Sequence, residues 1–374
     1  MIPFLDLKWQ HAELGPQLMR AAERVIGRAQ FTLGPETEAF EASLAEFCGS
    51  PHAVAVNSGT SALHLALLAA GVGPGDEVIT CPATFVATIA AIQYIGAVPR
   101  LVDIDPLAWT LDPARIEAAM SPRTRAILPV HLHGRMADMK AITDIAEAHG
   151  VAVIEDAAQA LGARADGVRA GAHGDLGCFS FYPGKNLGAC GEGGAVVTRR
   201  SDFAERLRRL RDWGQSRKYL HAEKGFNYRM DELQAAFLSV KLPHLERWNQ
   251  ARRAAAARYD RLLAGLGVAH PESAGDGRHV YHVYGVRVAD RDAVRGRLAG
   301  NVATNAHYPI PVHLQPAFAD LGYRLGDFPV AETFCDETLS LPMFPGIADD
   351  EVDAVCERLA EAIHCPPVVT GEAA

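Results

Sequence analysis

Lys185 is the residue of this sequence most open to covalent chemistry, because of the stretch that holds it: Gly177-Cys178-Phe179-Ser180-Phe181-Tyr182-Pro183-Gly184-Lys185-Asn186-Leu187-Gly188. An apolar, aromatic run with strand character stops at Pro-Gly, and the lysine follows at once. Gly188, Gly191, Gly193 and Gly194 then let the backbone approach something flat or anionic. A lysine among aromatics and glycines is partly desolvated, which disfavours its ammonium form and leaves a nucleophilic amine near neutral pH. Schiff-base chemistry needs that amine. A lysine seen alone after a strand is more often a surface group, so the reading rests on the rest of the chain.

Two other clusters bear on it. Ala53-Val54-Ala55-Val56 reads as a short buried strand running into Asn57-Ser58-Gly59-Thr60-Ser61 and an Ala/Leu-rich helix. Strand, small polar turn and helix N-terminus offer N–H groups, hydroxyls and a dipole to a phosphate. The same residues suit an ordinary N-cap, and the GKS or GKT of a Walker loop is missing. Glu155-Asp156-Ala157-Ala158-Gln159 follows a strand at Val151-Ala152-Val153-Ile154. An acid there needs a partner, or burial would neutralise it. A protonated ring nitrogen of a cofactor would be such a partner; for one of the two acids, an N-cap or a scaffold salt bridge serves instead. His307-Tyr308-Pro309 and Pro311-Val312-His313-Leu314-Gln315 read as a pocket wall. His131 and His133 lack further ligands at fitting spacing, so no metal site is expected.

These groups need a frame. From Gly73 the chain alternates strands (77–80, 99–104, 126–130, 151–154) with helices (86–95, 112–120, 136–149). Continuous apolar strands between helices argue for an α/β fold, a mostly parallel sheet sandwiched by helices, with ligands beyond the carboxyl ends of its strands. Two helices, 14–28 and 36–47, precede it, and a basic helix, 199–211, follows. Residues 213–229 read as an excursion towards a partner chain, and 230–248 and 249–266 as long helices. A smaller C-terminal domain with a strand at 281–288 completes the chain. The division expected is 1–248 and 249–374, since about 100 to 200 residues per domain is typical. The tail, 366–374, reads as frayed.

Composition excludes several classes. A net charge of −9 with no basic block is no footprint for nucleic acid. Seven cysteines without paired or CxxC spacing indicate neither disulfides nor structural zinc. No apolar run approaches the roughly 20 residues that span a bilayer. A cytoplasmic protein is the expectation.

Taken together, the sequence resembles the DegT/DnrJ/EryC1/StrS sugar aminotransferases, which are fold-type-I, aspartate-aminotransferase-like enzymes dependent on pyridoxal 5′-phosphate (PLP). The resemblance runs from Phe4-Leu5-Asp6-Leu7-Lys8 through Asn57-Ser58-Gly59-Thr60-Ser61-Ala62-Leu63-His64 and Gly73-Pro74-Gly75-Asp76-Glu77-Val78. It continues through Val130-His131-Leu132-His133-Gly134, Glu155 to Gln159 and the lysine stretch. Asn227-Tyr228-Arg229-Met230-Asp231-Glu232-Leu233-Gln234 and Ser340-Leu341-Pro342-Met343-Phe344-Pro345 extend it towards the end.

The resemblance implies a large PLP-binding domain and a small α+β domain. It implies that Lys185 binds PLP covalently and then shuttles a proton, while Asp156 keeps the pyridinium nitrogen protonated. Gln159 would lie near the phenolic oxygen and Phe85 would stack on the ring. Gly59, Thr60 and Ser180 would bind the phosphate, with Ser61 near them. Asn227 would reach the phosphate of a neighbouring subunit, giving a homodimer with shared sites. His307, Tyr308 and His313 would meet the substrate. Departures from the family's commoner residues are Glu192 for aspartate, His133 for tyrosine and Leu161 for histidine, besides an unusual Ala303-Thr304-Asn305-Ala306.

The implied activity is transfer of an amino group from L-glutamate, through the pyridoxamine form, to a keto group of a nucleotide-linked (dTDP, UDP or GDP) deoxysugar. Such products serve polysaccharides, O-antigen among them, or glycosides. Gln159 and the 307–316 segment favour C3 over C4 of the sugar. Amination of a C4-keto sugar, a cyclitol or an aminobenzoate precursor is the alternative within the class. A sugar dehydratase of the family would have histidine for Lys185. A nucleotide-sugar-binding sensor would need neither Lys185 nor Asp156.

Overall fold

Short apolar strands that alternate with helices can bury both faces only inside a helix-covered sheet, and such a sheet forms the centre of this protein. The computed structural model describes residues 1–270 and 277–364. The strands are β1 (His52–Val56), β2 (Glu77–Thr80), β3 (Val98–Leu101), β4 (Thr124–Ile127), β5 (Ala152–Asp156), β6 (Leu176–Ser180) and β7 (Gly194–Thr198). Their spatial order is β1-β7-β6-β5-β4-β2-β3. Pairing is parallel from β6 through β3, while β7 runs antiparallel to both β1 and β6. The expected mostly parallel α/β sheet is therefore present.

Before the sheet lie α1 (Lys8–Arg28) and α2 (Pro35–Cys48); α3 (Gly59–Ala69), α4 (Val86–Tyr94), α5 (Met139–His149) and α6 (Ser201–Arg211) cover it. α3 is buried along nearly its whole length, as its Ala/Leu composition requires, and packs on β5, β6 and β7. α1 begins at Lys8, earlier than expected, and runs through Pro16. The helix expected at 112–120 is a 3₁₀ turn at Pro113–Arg115 and a single turn at Ile116–Ala119. The helix expected at 230–248 is cut into α7 (Glu232–Lys241), a 3₁₀ turn at Leu242–His244, and α8 (Leu245–Leu263). Pro243 makes that cut, because it has no N–H to donate and its ring crowds the preceding turn.

Among the described residues there are two large apolar cores, besides a small cluster of Ala21, Val25 and Ala236 between α1 and α7. Beyond α8, β8 (Tyr284–Arg287) pairs antiparallel with β9 (Thr338–Leu341), shorter than the expected 281–288 strand. Around them pack α9 (Arg291–Leu298) and α11 (Asp349–His364), while α10 (Pro329–Glu337) joins the first core through Phe334 and Cys335. α8 enters the first core with Leu245 and Trp248 and the second with Ala256, Tyr259 and Leu263. On that ground we propose a division at 248/249, inside α8. The expectation for 366–374 lies outside the described residues. Among the described residues no helix is long and apolar enough to cross a membrane.

Register brings three strand ends together: Val56 pairs with Gly194, and Gly194 with Ser180. The turn after β1 therefore lies directly against the end of β6. A Cβ on Gly194 would stand 2.3 Å from the Ser58 carbonyl oxygen, and one on Gly59 would stand 2.7 Å from Ser180 Cβ. Only glycine fits at either place.

Candidate active site

β5 ends in two acids, and alternation along a strand sends them to opposite faces of the sheet. Glu155 is fully buried and accepts from His131 Nε2 (2.9 Å) and from the amides of Gly171 (2.7 Å), His173 (2.8 Å) and Gly174 (2.7 Å). Burial alone would raise its pKa; those donors outweigh it and hold the carboxyl below the ordinary value. His131 Nδ1 accepts from the Ala137 amide, so its proton sits on Nε2, facing Glu155. Glu155 is thus the acid spent on the scaffold.

Asp156 has fewer partners. Thr88 Oγ1 donates to its Oδ2 (2.8 Å) and the Ala158 amide to its Oδ1 (3.2 Å). Burial pushes its pKa up, because these donors leave the charge undercompensated. A cation placed here would restore the balance. Thr88, itself hydrogen-bonded to Thr84 (2.8 Å), was missed in the sequence, where it is one more residue of an apolar helix. Thr88→Val keeps the shape and removes the donor, and should lower the stability of the cofactor-free protein by about 1–3 kcal/mol in chemical denaturation.

The turn after β1 is built to receive an anion. Ser58 caps α3, its Oγ accepting from the Ser61 amide (3.1 Å), and the first helical bond runs from the Ala62 amide to the Ser58 carbonyl. The amides of Gly59 and Thr60 precede that bond and have no carbonyl within the helix to meet. Ser180 faces Gly59 across the cup, and its Oγ accepts from the Tyr182 amide (3.3 Å). Ser61 is buried, with its hydroxyl on Ser58 Oγ (3.0 Å), so it supports the turn more than it lines the cup.

Lys185 follows β6 by a tight turn, its amide on the Tyr182 carbonyl (2.8 Å). Asn186 anchors that turn by donating to Asn249 Oδ1 (2.8 Å) and the Val280 carbonyl (3.0 Å), a tie between distant segments that no sequence pattern announced. Burial lowers the Lys185 pKa to about 8, and Asp156 opposes that shift by its charge. The free amine therefore grows as pH rises towards about 8. Capture of added PLP by cofactor-free protein should speed up about tenfold per pH unit below that value and level off above it, as followed by stopped-flow absorbance. A rate flat from pH 6 to 9 would contradict the burial of this amine.

Gln159 is oriented by its neighbours. Its Oε1 accepts from the His133 amide (2.6 Å) and its Nε2 donates to the Tyr308 hydroxyl (3.2 Å). Tyr308 in turn lies 5.4 Å, ring to ring, from Phe85, which caps α4 and is half exposed. Gln159, Tyr308 and Phe85 thus form one wall beside Asp156. His307 turns back from it, stacked on Phe4 with Nδ1 on Ser340 Oγ (2.8 Å), while its carbonyl accepts from His133 Nε2 (2.8 Å). Burial lowers His133 to about 4 and His307 to about 3, so both rings are neutral near pH 7.

His313 and Asn227 lie apart from this group. His313, expected at the substrate, has no exposed side-chain surface: Nε2 lies 3.0 Å from Glu332 Oε1 and its ring packs on Phe328. The 3₁₀ turn at Val312–Leu314 directs its ring inward. Asn227 is exposed and accepts from Arg229, which also pairs with Asp212 (2.7 Å). With Thr32, Asn57, Glu192, Arg229 and Asp231 it lines an open cavity of about 320 Å³. Among the described residues no hydrogen bond joins Asn227 to Lys185, Asp156 or Gln159. Among them, too, no group of three or more His, Cys, Asp or Glu could hold a metal ion.

A buried acid, a desolvated lysine and an anion cup at adjacent strand ends, with an aromatic wall, define the site of an aminotransferase fold. The model of the DegT/DnrJ/EryC1/StrS aminotransferase family matches residues 13–360. The chain belongs to that family. It is 48% identical to the dTDP-3-amino-3,4,6-trideoxy-alpha-D-glucose transaminase of Streptomyces venezuelae, covering 96% of each chain. It is 47% identical, over 96% of its length and 98% of the relative's, to a Geobacillus stearothermophilus protein named a pleiotropic regulatory protein. The crystal structure of S. venezuelae DesV in complex with a ketimine intermediate superposes with a TM-score of 0.95 at 47% identity, covering 97% of this chain and 99% of that one. The protein is an aminotransferase, and a sensor reading is not favoured.

Proposed function

We propose that this protein transfers an amino group from L-glutamate to the C3 keto group of a nucleotide-linked deoxysugar, using PLP. The observation that carries the reading is the juxtaposition of a desolvated Lys185 with a buried, undercompensated Asp156 beside the anion cup of Gly59, Thr60 and Ser180. Those residues fit PLP: an acid for a ring N–H, an amine for an aldehyde, free amides for a phosphate, and Phe85 and Tyr308 for an aromatic face. When bound, PLP supplies an aldehyde that takes up the amino group and a ring that withdraws electrons.

The chain's own residues do the rest. Asp156, steadied by Thr88 and Ala158, binds the ring N–H and keeps its proton in place. Lys185 Nζ would hold the cofactor's aldehyde group and, as a free amine, would move the proton at the substrate carbon. Gln159, fixed by the His133 amide and Tyr308, orients the ring oxygen. Preference for C3 is supported by the name of the S. venezuelae relative, a transaminase of a 3-amino sugar.

A homodimer completes the reading. Phe31, Trp213, Tyr219 and Leu220 are exposed, too apolar a set to leave in water without a partner, and Asn227 follows Leu220 by seven residues. We propose that Asn227 closes the phosphate cup of the second copy, and that the protein works in the cytoplasm.

The test is an assay with L-glutamate and, separately, the 3-keto and 4-keto isomers of a dTDP-linked deoxysugar, with products resolved by NMR. Amination at C3 is the expected result. Product at C4 alone would overturn the position, and no product from either sugar would overturn the substrate class.

A further inference from the structure

Cys190 stands five residues beyond Lys185 on the same loop, and among the described cysteines it is the exposed one. Two other elements bring titratable groups to it. His11, on α1, has Nε2 3.8 Å from Cys190 Sγ, and Lys241, the last residue of α7, has Nζ at 3.8 Å from the same sulfur. Nζ and Nε2 are themselves 3.3 Å apart. The amino-transfer chemistry uses none of the three.

The hydrogen bonds assign each group a role. His11 Nδ1 lies 2.7 Å from the Leu7 carbonyl, which can only accept, so Nδ1 carries the proton and Nε2 presents a lone pair. That lone pair is within reach of both the thiol and the Lys241 Nζ. Lys241 is 2% exposed and donates to the Gly188 carbonyl (2.7 Å), which aims a buried cation at the sulfur. The Cys190 amide donates to Gln234 Oε1 (2.9 Å), also on α7, and so fixes the sulfur's position. A nucleophile, an acceptor for its proton, a carbonyl that orients the acceptor and a cation beside the sulfur form the constellation of a reactive thiol.

We propose that Cys190, with His11 and Lys241, is a redox modification site, oxidised by hydrogen peroxide to a sulfenic acid. The sulfur attacks one peroxide oxygen; the S–O bond forms as the O–O bond breaks. Sulfur loses two electrons, and the peroxide is reduced to water. The thiol proton passes to His11 Nε2 and on to the departing hydroxide. The new oxygen on sulfur offers Lys241 an acceptor in place of the Gly188 carbonyl, which loosens one of the two ties of the Lys185 loop to α7 and leaves that of Gln234. The other described cysteines contrast with it: Cys48 and Cys81 are buried, and burial pushes their thiols up to about 12. They serve as internal references.

The test uses the full-length, PLP-loaded protein, hydrogen peroxide and dimedone, with labelled sites located by peptide mass spectrometry. Cys190 should label at least about tenfold faster than the cysteine of an unstructured peptide, and His11→Gln should remove most of that advantage. Peroxide should also change the absorption band of the bound cofactor and reverse on adding a thiol reductant, whereas Cys190→Ser should keep its band and its activity throughout. Labelling no faster than the peptide overturns the proposal, as does rapid labelling that His11→Gln leaves unchanged. If His11→Gln does not fold, the comparison of wild type with peptide decides alone. These rates need no sugar acceptor, so their failure is distinct from a wrong substrate assignment.

Discussion

Lys185→Ala is expected to abolish covalent capture of PLP and to lower amino transfer on the order of 10⁴-fold. The size of the effect follows from two duties in one side chain, attachment and proton transfer. Borohydride treatment followed by mass spectrometry should show the cofactor's added mass on a Lys185 peptide in the wild type and nowhere in the variant. The fold should survive. Lys185 Nζ makes no hydrogen bond to the described residues, and burial lowers its pKa to about 8 from the usual value of a lysine. A lowered lysine pKa means that the folded state disfavours the ammonium form, so below about pH 8 the charge costs cofactor-free protein stability. Alanine removes that cost, and the cofactor-free variant should melt at or above the wild type at pH 7. Lys185→Arg sharpens the argument, since it restores a cation and not a nucleophile, and should be as inactive. Activity within tenfold of wild type in either variant would remove Lys185 from the chemistry.

How far this site could be read from the chain depends on the distance over which each part is specified. Lys185, Asp156 and the turn at Gly59-Thr60 sit at strand ends, and a buried apolar strand followed by a polar residue is a local signal. The sheet order then brings them together, since Gly194 pairs with both Val56 and Ser180. Which of Glu155 and Asp156 faces the ligand was not local. It became decided only when His131 and three amides of the 171–174 segment closed around Glu155. Thr88 and Asn186 were illegible for the same reason: their partners lie 68 and 63 residues away, and neither residue type is unusual in a helix or a turn.

Expectations failed where one residue outweighed a pattern. Pro243 cuts a helix whose apolar periodicity continues on both sides of it, while Pro16 leaves α1 uninterrupted. α8 itself faces two cores in succession, Leu245 and Trp248 in one and Ala256, Tyr259 and Leu263 in the other.

Asp156→Asn should separate function from stability at the other end of the site. Asparagine keeps the shape, and its oxygen still accepts from Thr88 Oγ1, so the local packing at 2.8 Å is retained. What is lost is the charge that would hold a proton on the ring nitrogen, and amino transfer should fall about 10²–10³-fold. Stability should move the other way. Burial raises the Asp156 pKa, so in cofactor-free protein the ionised carboxylate is disfavoured in the folded state. For such a group stability is fully present below the unfolded pKa and is lost as pH rises through the folded one. At pH 7 cofactor-free Asp156→Asn should therefore be as stable as the wild type or more so, and the gap should close as pH falls. Glu155→Gln is the control with the opposite sign. The Glu155 pKa is held below the ordinary value, so its contribution is present at neutral pH and lost in acid. The amide turns a donor towards amides that have nothing to accept with, and should cost about 1–3 kcal/mol at pH 7 in denaturant melts. Two neighbouring acids with opposite responses would show that burial without a partner, rather than burial itself, marks the one kept for the ligand. If both variants lost stability alike, Asp156 would be a second scaffold acid, and the assignment of its role would have to be withdrawn.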